Sequence, residues 1–215
     1  SCVTMIGAGG LGSIVLYYLV AAGVGTIKIV DDDVVSLSNL QRQILFKNED
    51  LGKKKVFAAK KNLLGLNPLI KIETFDYKFS EINCKKFTDG SDLLIDGTDN
   101  FKSKSSICKI AFSKLIPLVY GGLSQWEGQV CVFDPKSDSI CFECIFPKDP
   151  GEEFEQSCSN IGIMGPTLYS FSKTIFKNVT QLPPGRLIEI EINSLNKKIS
   201  RWSLPLENLP KIHPN

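Results

Sequence analysis

Short apolar runs alternate with longer amphipathic stretches along the first 120 residues of the chain. Residues 2–6 form one such run, which ends at a group of glycines, as a buried parallel strand does. Similar runs predict strands, and the stretches between them predict helices. The strands are 27–31, 70–75, 92–96 and 115–120, and the helices are 11–22, 53–64, 80–88 and 100–114. This alternation is typical of an α/β fold, a Rossmann-like doubly wound sheet of parallel strands.

The pattern changes after residue 122, where apolar and polar side chains alternate along three segments. These segments are 128–134, 186–192 and 197–204, and strict alternation is typical of antiparallel strands. The last two are expected to pair as a hairpin around residues 193–196. A further helix is expected near 165–178.

The length of 215 residues suits one elaborated domain, since about 150 residues is typical of one domain. We predict a single domain over 1–215, with a parallel half at 1–122 and an antiparallel half at 123–215. A crossover loop is expected in the second half. The chain begins with Ser1 inside an apolar run, and we expect both termini to be incomplete.

Charge and composition exclude several classes of protein. The net charge is +2, from 25 basic and 23 acidic residues, which is too small to indicate binding to nucleic acid or to a membrane surface. Residues 1–27 carry no charge, but their glycines divide them into a strand and a helix, so they do not predict a membrane span. Seven cysteines cannot all pair as disulfides, and free thiols favour a cytoplasmic protein. The only histidine, His213, excludes a His-rich metal site and argues against a Ser-His-Asp triad.

A glycine-rich loop follows the first predicted strand and opens the first predicted helix. Its glycines are Gly7, Gly9, Gly10 and Gly12, in the pattern G-x-G-x-x-G. Such a loop lets phosphates approach the backbone at a helix N-terminus, and an acidic residue at the end of the next strand accepts bonds from ribose. Asp31 stands there, although Asp32 and Asp33 beside it leave open a group that faces solvent or a cation. These residues predict a nucleotide site without distinguishing ATP from NAD, and a plain turn-forming glycine cluster is the alternative.

Arg42 favours ATP over NAD. A hydride-transfer enzyme has no need of a cation just after the ribose-binding strand, whereas attack on a phosphate builds charge on phosphoryl oxygens. Arg42 offers a planar fork of five donors for that charge, and Asn39 and Gln43 add neutral donors.

A second positive charge is expected from the lysines at the start of the helix after Gly52. Lys55 is our candidate, with Lys53 and Lys54 as rivals. A solvated basic face is an equally good reading of any one of these lysines.

The fourth predicted strand ends in the segment DGTDN, 96–100. Ligands bind at the carboxyl ends of parallel strands, so Asp99 is a candidate to hold Mg²⁺ against phosphates. The alternative is that Asp99 only caps the helix at 100–114.

Seven segments of the chain resemble the ThiF/MoeB family of adenylyltransferases, which are related to ubiquitin-activating enzymes. They run in the family's order through most of the chain. The segments are GAGGLGS (7–13), DDDVVSLSNLQRQ (31–43), LGKKKV (51–56), DGTDN (96–100), PLVYGG (117–122), EGQVCVF (127–133) and CFEC (141–144).

The resemblance implies an activity and its partners. A small ubiquitin-like sulfur-carrier protein would have its C-terminal glycine adenylated by MgATP, giving an acyl-adenylate and pyrophosphate. The pathway would be molybdopterin or thiamine-thiazole biosynthesis, or a related ubiquitin-like pathway. A homodimer, and a cysteine desulfurase or rhodanese as a further partner, are also implied.

The resemblance assigns roles to residues by their position in the motifs. Asp31 would bind the ribose, Arg42 and Lys55 the phosphates, and Asp99 the magnesium ion and the triphosphate. Asn39, Gln43 and Asn100 would lie near the nucleotide, beside the glycines of the loop. No general base is needed, because a carboxylate nucleophile is already ionised at neutral pH.

Two kinds of cysteine chemistry are expected. Cys141 and Cys144 have the spacing of half a four-thiolate zinc site, and a redox pair or a chance spacing is the alternative. The resemblance implies a second cysteine pair beyond Asn215. It also aligns Cys158 with a cysteine that some members use to carry the activated carrier covalently. The glutamates near Cys158 oppose the low thiol pKa which that role needs.

Two further functions remain open. An NAD(P)-dependent oxidoreductase would explain the glycine loop and Asp31 but leaves Arg42 and Asp99 without a role. An inactive scaffold that only docks a ubiquitin-like protein is the other, and the presence of Arg42 and Asp99 speaks against it.

Overall fold

The computed structural model describes residues 1–124, 127–137 and 140–146, and the backbone of 186–190 and 197–201. The strands of the first part are β1 (Cys2–Ile6), β2 (Thr26–Val30), β3 (Lys71–Phe75), β4 (Leu93–Asp96), β5 (Leu118–Ser124) and β6 (Glu127–Phe133). The helices are α1 (Gly10–Ala21), α2 (Lys55–Leu66), α3 (Lys85–Thr88), α4 (Phe101–Lys114) and α5 (Phe142–Ile145). Short 3₁₀ helices lie at Leu37–Asn39 and Asn48–Asp50.

The first six strands form one sheet in the order β3-β2-β1-β4-β5-β6. All neighbours are parallel except β5 and β6, which are antiparallel. The chain therefore winds outward from β1 to β3 and then crosses to β4 on the other side of β1. Ligands bind outside the carboxyl ends of the strands where the winding changes direction. The prediction of a doubly wound parallel sheet that continues into antiparallel strands is confirmed.

Both faces of the central strands of this sheet are buried, and neighbouring residues of one strand pack on opposite faces. Met5 and Ile29 belong to a core with α1 and α2, whereas Ile6 and Val30 belong to a second core with α3 and α4. A strand buried on both faces is apolar at nearly every position, which is why these strands are nearly continuous apolar runs. The buried polar side chains of Thr4 and Lys28 donate to backbone carbonyls. Each fully buried large side chain, such as Leu16 of α1, stabilises the fold by about 1.5–3 kcal/mol.

Strand β5 begins later than residue 115, where we expected it, and extends further. Helix α4 ends at Lys114, and the next residue, Leu115, has a left-handed φ of 54° and an N–H that bonds back to the last turn of the helix. Pro117 follows and has no N–H for a sheet ladder. Pairing with β6 then carries β5 on to Ser124.

Helix α3 is shorter than the predicted 80–88. The side chain of Asn83 accepts a bond from Ser80 N at 3.0 Å and donates to Lys78 O at 2.8 Å. These bonds satisfy the backbone in a turn, which competes with helix at this position. The helix therefore begins at Lys85.

Strands β7 (Arg186–Ile190) and β8 (Lys197–Arg201) pair with each other in antiparallel register. The predicted antiparallel pairing of these strands is confirmed. The turn expected around residues 193–196 and the remaining residues of the two predicted strands lie outside the described residues. The helix expected near 165–178 and Cys158 also lie outside them. The chain divides into two compact units at residues 167 and 168, and the single domain over 1–215 stays a prediction. Among the described helices, none has the length and apolarity that a membrane crossing requires.

Candidate functional site

The glycine loop joins β1 to α1 at the point where the sheet winding reverses. Gly7 has a left-handed φ of 91°, and its N–H donates to Val30 O at 2.8 Å. A Cβ on Gly12 would lie 2.0 Å from Gly7 O, so only glycine fits there. Helix α1 begins without a side-chain cap, and the N–H groups of its first turn are the natural partners of a phosphate at that end.

Asp31 is hydrogen-bonded directly to the glycine loop. Its Oδ2 accepts from Ala8 N at 2.7 Å and its Oδ1 accepts from Asp33 N at 2.9 Å. Burial raises the pKa of Asp31, and the nearby charge of Lys55 and the two backbone N–H groups partly oppose this rise. The carboxylates of Asp31, Asp32 and Asp33 all come within 4.8 Å of one another, and the last two side chains are exposed. The structure therefore places Asp31, and not its neighbours, against the loop.

The structure separates the three candidate lysines. Lys55 is buried, with its Nζ 2.7 Å from Asp33 Oδ2 and its charge acting on Asp31. Lys53 and Lys54 have side chains about half exposed, and they pair with Asp50 and Asp76 at 3.3 and 3.0 Å. Of the three, Lys55 alone is both buried and next to the acidic end of β2.

Arg42 lies beside the glycine loop in a set orientation. Its Nη2 donates to Asn39 Oδ1 at 2.8 Å and its Nη1 to Ser38 O at 3.2 Å. Asn39 is itself held, because its Nδ2 donates to Ser36 Oγ at 2.7 Å. A Cβ placed on Gly10 would lie 3.7 Å from Arg42 Cγ. Asn39 therefore orients the arginine through its side-chain oxygen.

Gln43 lies on the same side of the loop. Its residue is 4% exposed, and its Oε1 has no hydrogen-bond partner among the described residues. A Cβ on Gly9 would lie 4.0 Å from Gln43 Nε2. A buried amide without its full set of bonds next to a glycine loop is a group that a ligand can complete.

The segment 96–100 follows β4 and touches the glycine loop. Gly97 N donates to Ile6 O at 2.8 Å, and a Cβ on Gly7 would lie 2.9 Å from Gly97 O. Asn100, and not Asp99, caps helix α4, because Asn100 Oδ1 accepts from Ser103 N at 2.8 Å. The alternative in which Asp99 only caps this helix is therefore wrong. Asp99 is exposed and has no side-chain partner in the part of the chain that the structure describes.

Asp96 is a buried acid that we did not single out from the sequence. Its Oδ1 accepts from both Thr98 N at 2.8 Å and Thr98 Oγ1 at 2.7 Å, and its Oδ2 is 3.4 Å from Lys104 Nζ. Burial raises its pKa against the opposing charge of Lys104. The burial of Lys104 could have been predicted from the sequence, because this lysine falls at helical spacing on the same face as the apolar residues Ile107, Cys108 and Ala111.

Cys141 and Cys144 lie together at α5, with their Sγ atoms 3.3 Å apart. Burial would raise the pKa of Cys141, but hydrogen bonds from the Cys144 thiol and from backbone N–H groups outweigh it and lower the pKa. Two thiolates on one zinc ion with bonds of about 2.3 Å lie about 3.8 Å apart, so this pair needs only a small shift to share a metal. Within the described residues no third cysteine, histidine or acidic ligand joins them.

Cys108 is a core residue. It is 3% exposed, and its Sγ accepts from Phe142 N at 3.3 Å. Burial raises its pKa to about 11, so it stays a thiol at neutral pH. Cys131 is only partly buried.

Named proteins resemble this chain over most of its length. A sulfur carrier protein adenylyltransferase of Thermus thermophilus is 40% identical over 167 residues, which are 76% of this chain and 62% of that protein. The SAMP-activating enzyme E1 of Haloferax volcanii is 37% identical over 165 residues, which are 77% of this chain and 60% of that protein. The chain thus spans about three fifths of the length of these two curated relatives.

The fold also matches solved structures. The crystal structure of E. coli MccB with ATP has a TM-score of 0.63 at 25% identity, over 68% of this chain and 45% of that one. A crystal structure of PaaA matches 94% of this chain and 64% of that one, with a TM-score of 0.61 at 22% identity. The sequence matches the ThiF family over residues 1–212, and the chain therefore belongs to the ThiF family.

Proposed function

We propose that this protein adenylates the C-terminal glycine of a small ubiquitin-like sulfur-carrier protein, using ATP and releasing pyrophosphate. The observation that carries the proposal is the pair of cations at the glycine loop: Arg42 lies beside Gly10, and the buried Lys55 lies beside Asp31. One relative is named a sulfur carrier protein adenylyltransferase and another a SAMP-activating enzyme E1, which supports this choice of reaction. A related solved structure holds ATP.

In this proposal the nucleotide lies along the glycine loop with its ribose on Asp31. An ionised carboxylate has about four acceptor positions, and the bonds from Ala8 N and Asp33 N use two of them. The other two remain for the ribose hydroxyls. The phosphates then meet the first turn of α1, and the amide of Gln43 completes its bonds on the same ligand.

The reaction joins two anions, so positive charge is what the site must supply. The carboxylate of the carrier attacks the α-phosphate, the bond between the α- and β-phosphates breaks, and pyrophosphate leaves with the electron pair. Arg42, oriented by Asn39, and Lys55 offset the charge that builds on the phosphoryl oxygens. The nucleophile is already ionised at neutral pH.

Asp99 and Asn100 complete the phosphate side of the proposed site. The exposed carboxylate of Asp99 fits Mg²⁺, which commonly takes one or two protein carboxylates together with substrate phosphates. When bound, Mg²⁺ would neutralise charge on the phosphates. Asn100 keeps its side-chain amide nitrogen for the nucleotide while its oxygen caps α4.

Other parts of the proposal concern the rest of the protein. Cys141 and Cys144 would supply two zinc thiolates, completed by a cysteine pair beyond Asn215, and Cys158 would carry the activated carrier. A cytoplasmic homodimer is proposed, with a cysteine desulfurase or a rhodanese as a sulfur source. A nicotinamide cofactor would occupy the glycine loop and Asp31 but would leave Arg42 and Asp99 without a role.

The test is ATP–pyrophosphate exchange by the full-length protein with purified ubiquitin-like sulfur-carrier proteins, each with and without its C-terminal glycine. Exchange is expected only with the intact tail. Arg42→Ala should lower it by about 10²–10³-fold, the usual effect of removing one transition-state donor, and Arg42→Lys should recover only part. Lys61→Ala, an exposed ion-pair change, is the control. Thermal stabilisation by NAD⁺ and NADH but not by MgATP would overturn the proposal.

A further inference from the structure

A buried ammonium group lies beneath the segment that carries Asp99. Lys104 of α4 is 8% exposed. Its Nζ donates to Gly121 O of β5 at 2.6 Å, lies 3.4 Å from Asp96 Oδ2, and sits 4.5 Å from the centre of the Tyr120 ring. The ammonium group of Lys104 thus contacts both the end of β4 and the middle of β5.

Packing alone does not explain a lysine at this position. Its helical neighbours on the buried face of α4 are Ile107, Cys108 and Ala111, and an unbranched apolar side chain would fill the same space. A buried ammonium group is costly to desolvate and is retained only with partners around it. Here the partners are a carboxylate, a backbone carbonyl and an aromatic face.

The carboxylate that Lys104 binds shapes the segment 97–100. Asp96 Oδ1 accepts two bonds from Thr98, one from its backbone N–H and one from its hydroxyl. Gly97, between them, packs against Gly7 of the glycine loop. The Asp96 carboxylate therefore links Lys104 to Thr98, the residue immediately before Asp99.

We propose that Lys104 is a positioning residue for adenylation: it fixes the Asp96 carboxylate and, through it, the Thr98 turn that presents Asp99 at the nucleotide site. The inference rests on the proposed function, because it assigns Asp99 to the metal-bound phosphates. Groups that contact a metal ligand directly typically change metal affinity or activity by about 10–100-fold when removed. Lys104 acts through Asp96 and Thr98, so we expect an effect at the lower end of that range.

The test compares Lys104→Met, an unbranched side chain one atom shorter and without the charge, with Lys104→Arg. Lys114→Met, an exposed lysine at the end of the same helix, is the control. Calorimetry on the full-length protein measures the affinity for ATP in Mg²⁺ and in EDTA, at a temperature where circular dichroism shows every variant folded. The ratio of the two affinities measures how much Mg²⁺ strengthens ATP binding, separately from the contacts of the nucleotide itself. The measurement needs no carrier protein.

Lys104→Met should lower the ratio of the ATP affinity in Mg²⁺ to that in EDTA by about tenfold and should leave the affinity in EDTA unchanged. Lys104→Arg, which keeps the positive charge, should have a ratio close to that of the parent. Thr98→Val, which removes one bond to Asp96, should lower the ratio less and serves if Lys104→Met does not fold. An unchanged affinity ratio in Lys104→Met overturns the inference. If Lys104→Met does not fold, an unchanged ratio in Thr98→Val does the same. A fall of the ratio in Lys114→Met as large as that in Lys104→Met also overturns it. If the parent binds MgATP but shows no exchange with any carrier, only the proposed reaction fails. If the parent does not bind ATP, both proposals fail.

Discussion

Replacing Asp50 by alanine is expected to destabilise the protein by about 2–4 kcal/mol. Asp50 is fully buried in the turn that leads into α2. Its carboxylate accepts from Lys47 N at 3.2 Å, from Asn62 Nδ2 at 2.9 Å and from Lys53 Nζ at 3.3 Å. The carboxylate thus joins the turn to the helix whose first residue is Lys55.

The magnitude follows from the donors that lose their partner. A buried donor left without an acceptor costs about 1–3 kcal/mol. Two part-buried donors are affected, the N–H of Lys47 and one N–H of Asn62, and at about 1–2 kcal/mol each, the lower part of that range, they account for the expected total. The other N–H of Asn62 stays on Leu45 O at 2.8 Å, so this side chain remains in place. Lys53 is half exposed and returns to water at little cost, since exposed ion pairs contribute about 0–1 kcal/mol.

The contribution of Asp50 should also depend on pH. Burial would raise its pKa, but the bonds from Asn62, Lys47 and Lys53 outweigh burial and lower the pKa. An acid whose pKa is lower in the folded state stabilises the fold above the unfolded value, about 3.9, and loses that contribution as the pH falls below it. The stability difference between the parent and Asp50→Asn should therefore be full at pH 6 and should shrink below about pH 4.

Urea unfolding followed by circular dichroism measures these free energies at each pH. Glu49→Ala is the matched control, because Glu49 is the neighbouring acid and its ion pair with Lys61 is exposed on both sides. That variant should cost about 0–1 kcal/mol. An Asp50→Ala variant as stable as Glu49→Ala, or a difference between parent and Asp50→Asn that does not change with pH, would refute the reasoning.

Three further predictions concern the site and the thiols. Lys55→Met should lower ATP–pyrophosphate exchange by about 10²–10³-fold, while Lys54→Met, at a partly exposed ion pair, should leave it nearly unchanged; equal losses would contradict the choice of Lys55. Asp99→Asn should raise the Mg²⁺ concentration needed for exchange without changing the melting temperature, because the side chain is exposed; an unchanged Mg²⁺ requirement argues against a metal role. In the full-length protein, Cys141→Ser with Cys144→Ser should abolish bound zinc by elemental analysis, and zinc retained at the parent ratio would exclude this pair as ligands.

The strands of the parallel half were predictable because burial on both faces favours apolar residues at nearly every position. Runs such as 2–6 meet this condition, and the structure shows strands there. The start of β5 was not predictable from the same rule. Residues 115–117 are apolar, but the left-handed Leu115 and the missing N–H of Pro117 place them in a turn. Apolar character indicates burial there, and hydrogen bonding decides the conformation.

The candidate site was predicted in its residue types and only partly in its roles. Spacing indicated the glycine loop and Asp31, because both depend on local order along the chain. The choice of Lys55 over Lys54 needed the structure, since it depends on which ammonium group is buried beside Asp33. Asn39 was expected as a donor to the ligand, and that role stays a prediction. The contact of its side-chain oxygen with Arg42 could not be predicted from the spacing of the two residues.

Lys104 illustrates what local spacing can and cannot predict. Its position in the buried face of α4 is visible from the spacing to Ile107 and Ala111, and a charge in an apolar face requires partners. The order of the strands in the sheet decides which groups become those partners. Because β4 lies beside β5, Asp96 of β4 and Gly121 of β5 are both within reach of Lys104. A helix on the same face of a sheet with another strand order would bring the same lysine to different groups. Spacing therefore predicts where a buried charge lies, and strand order decides which groups it binds.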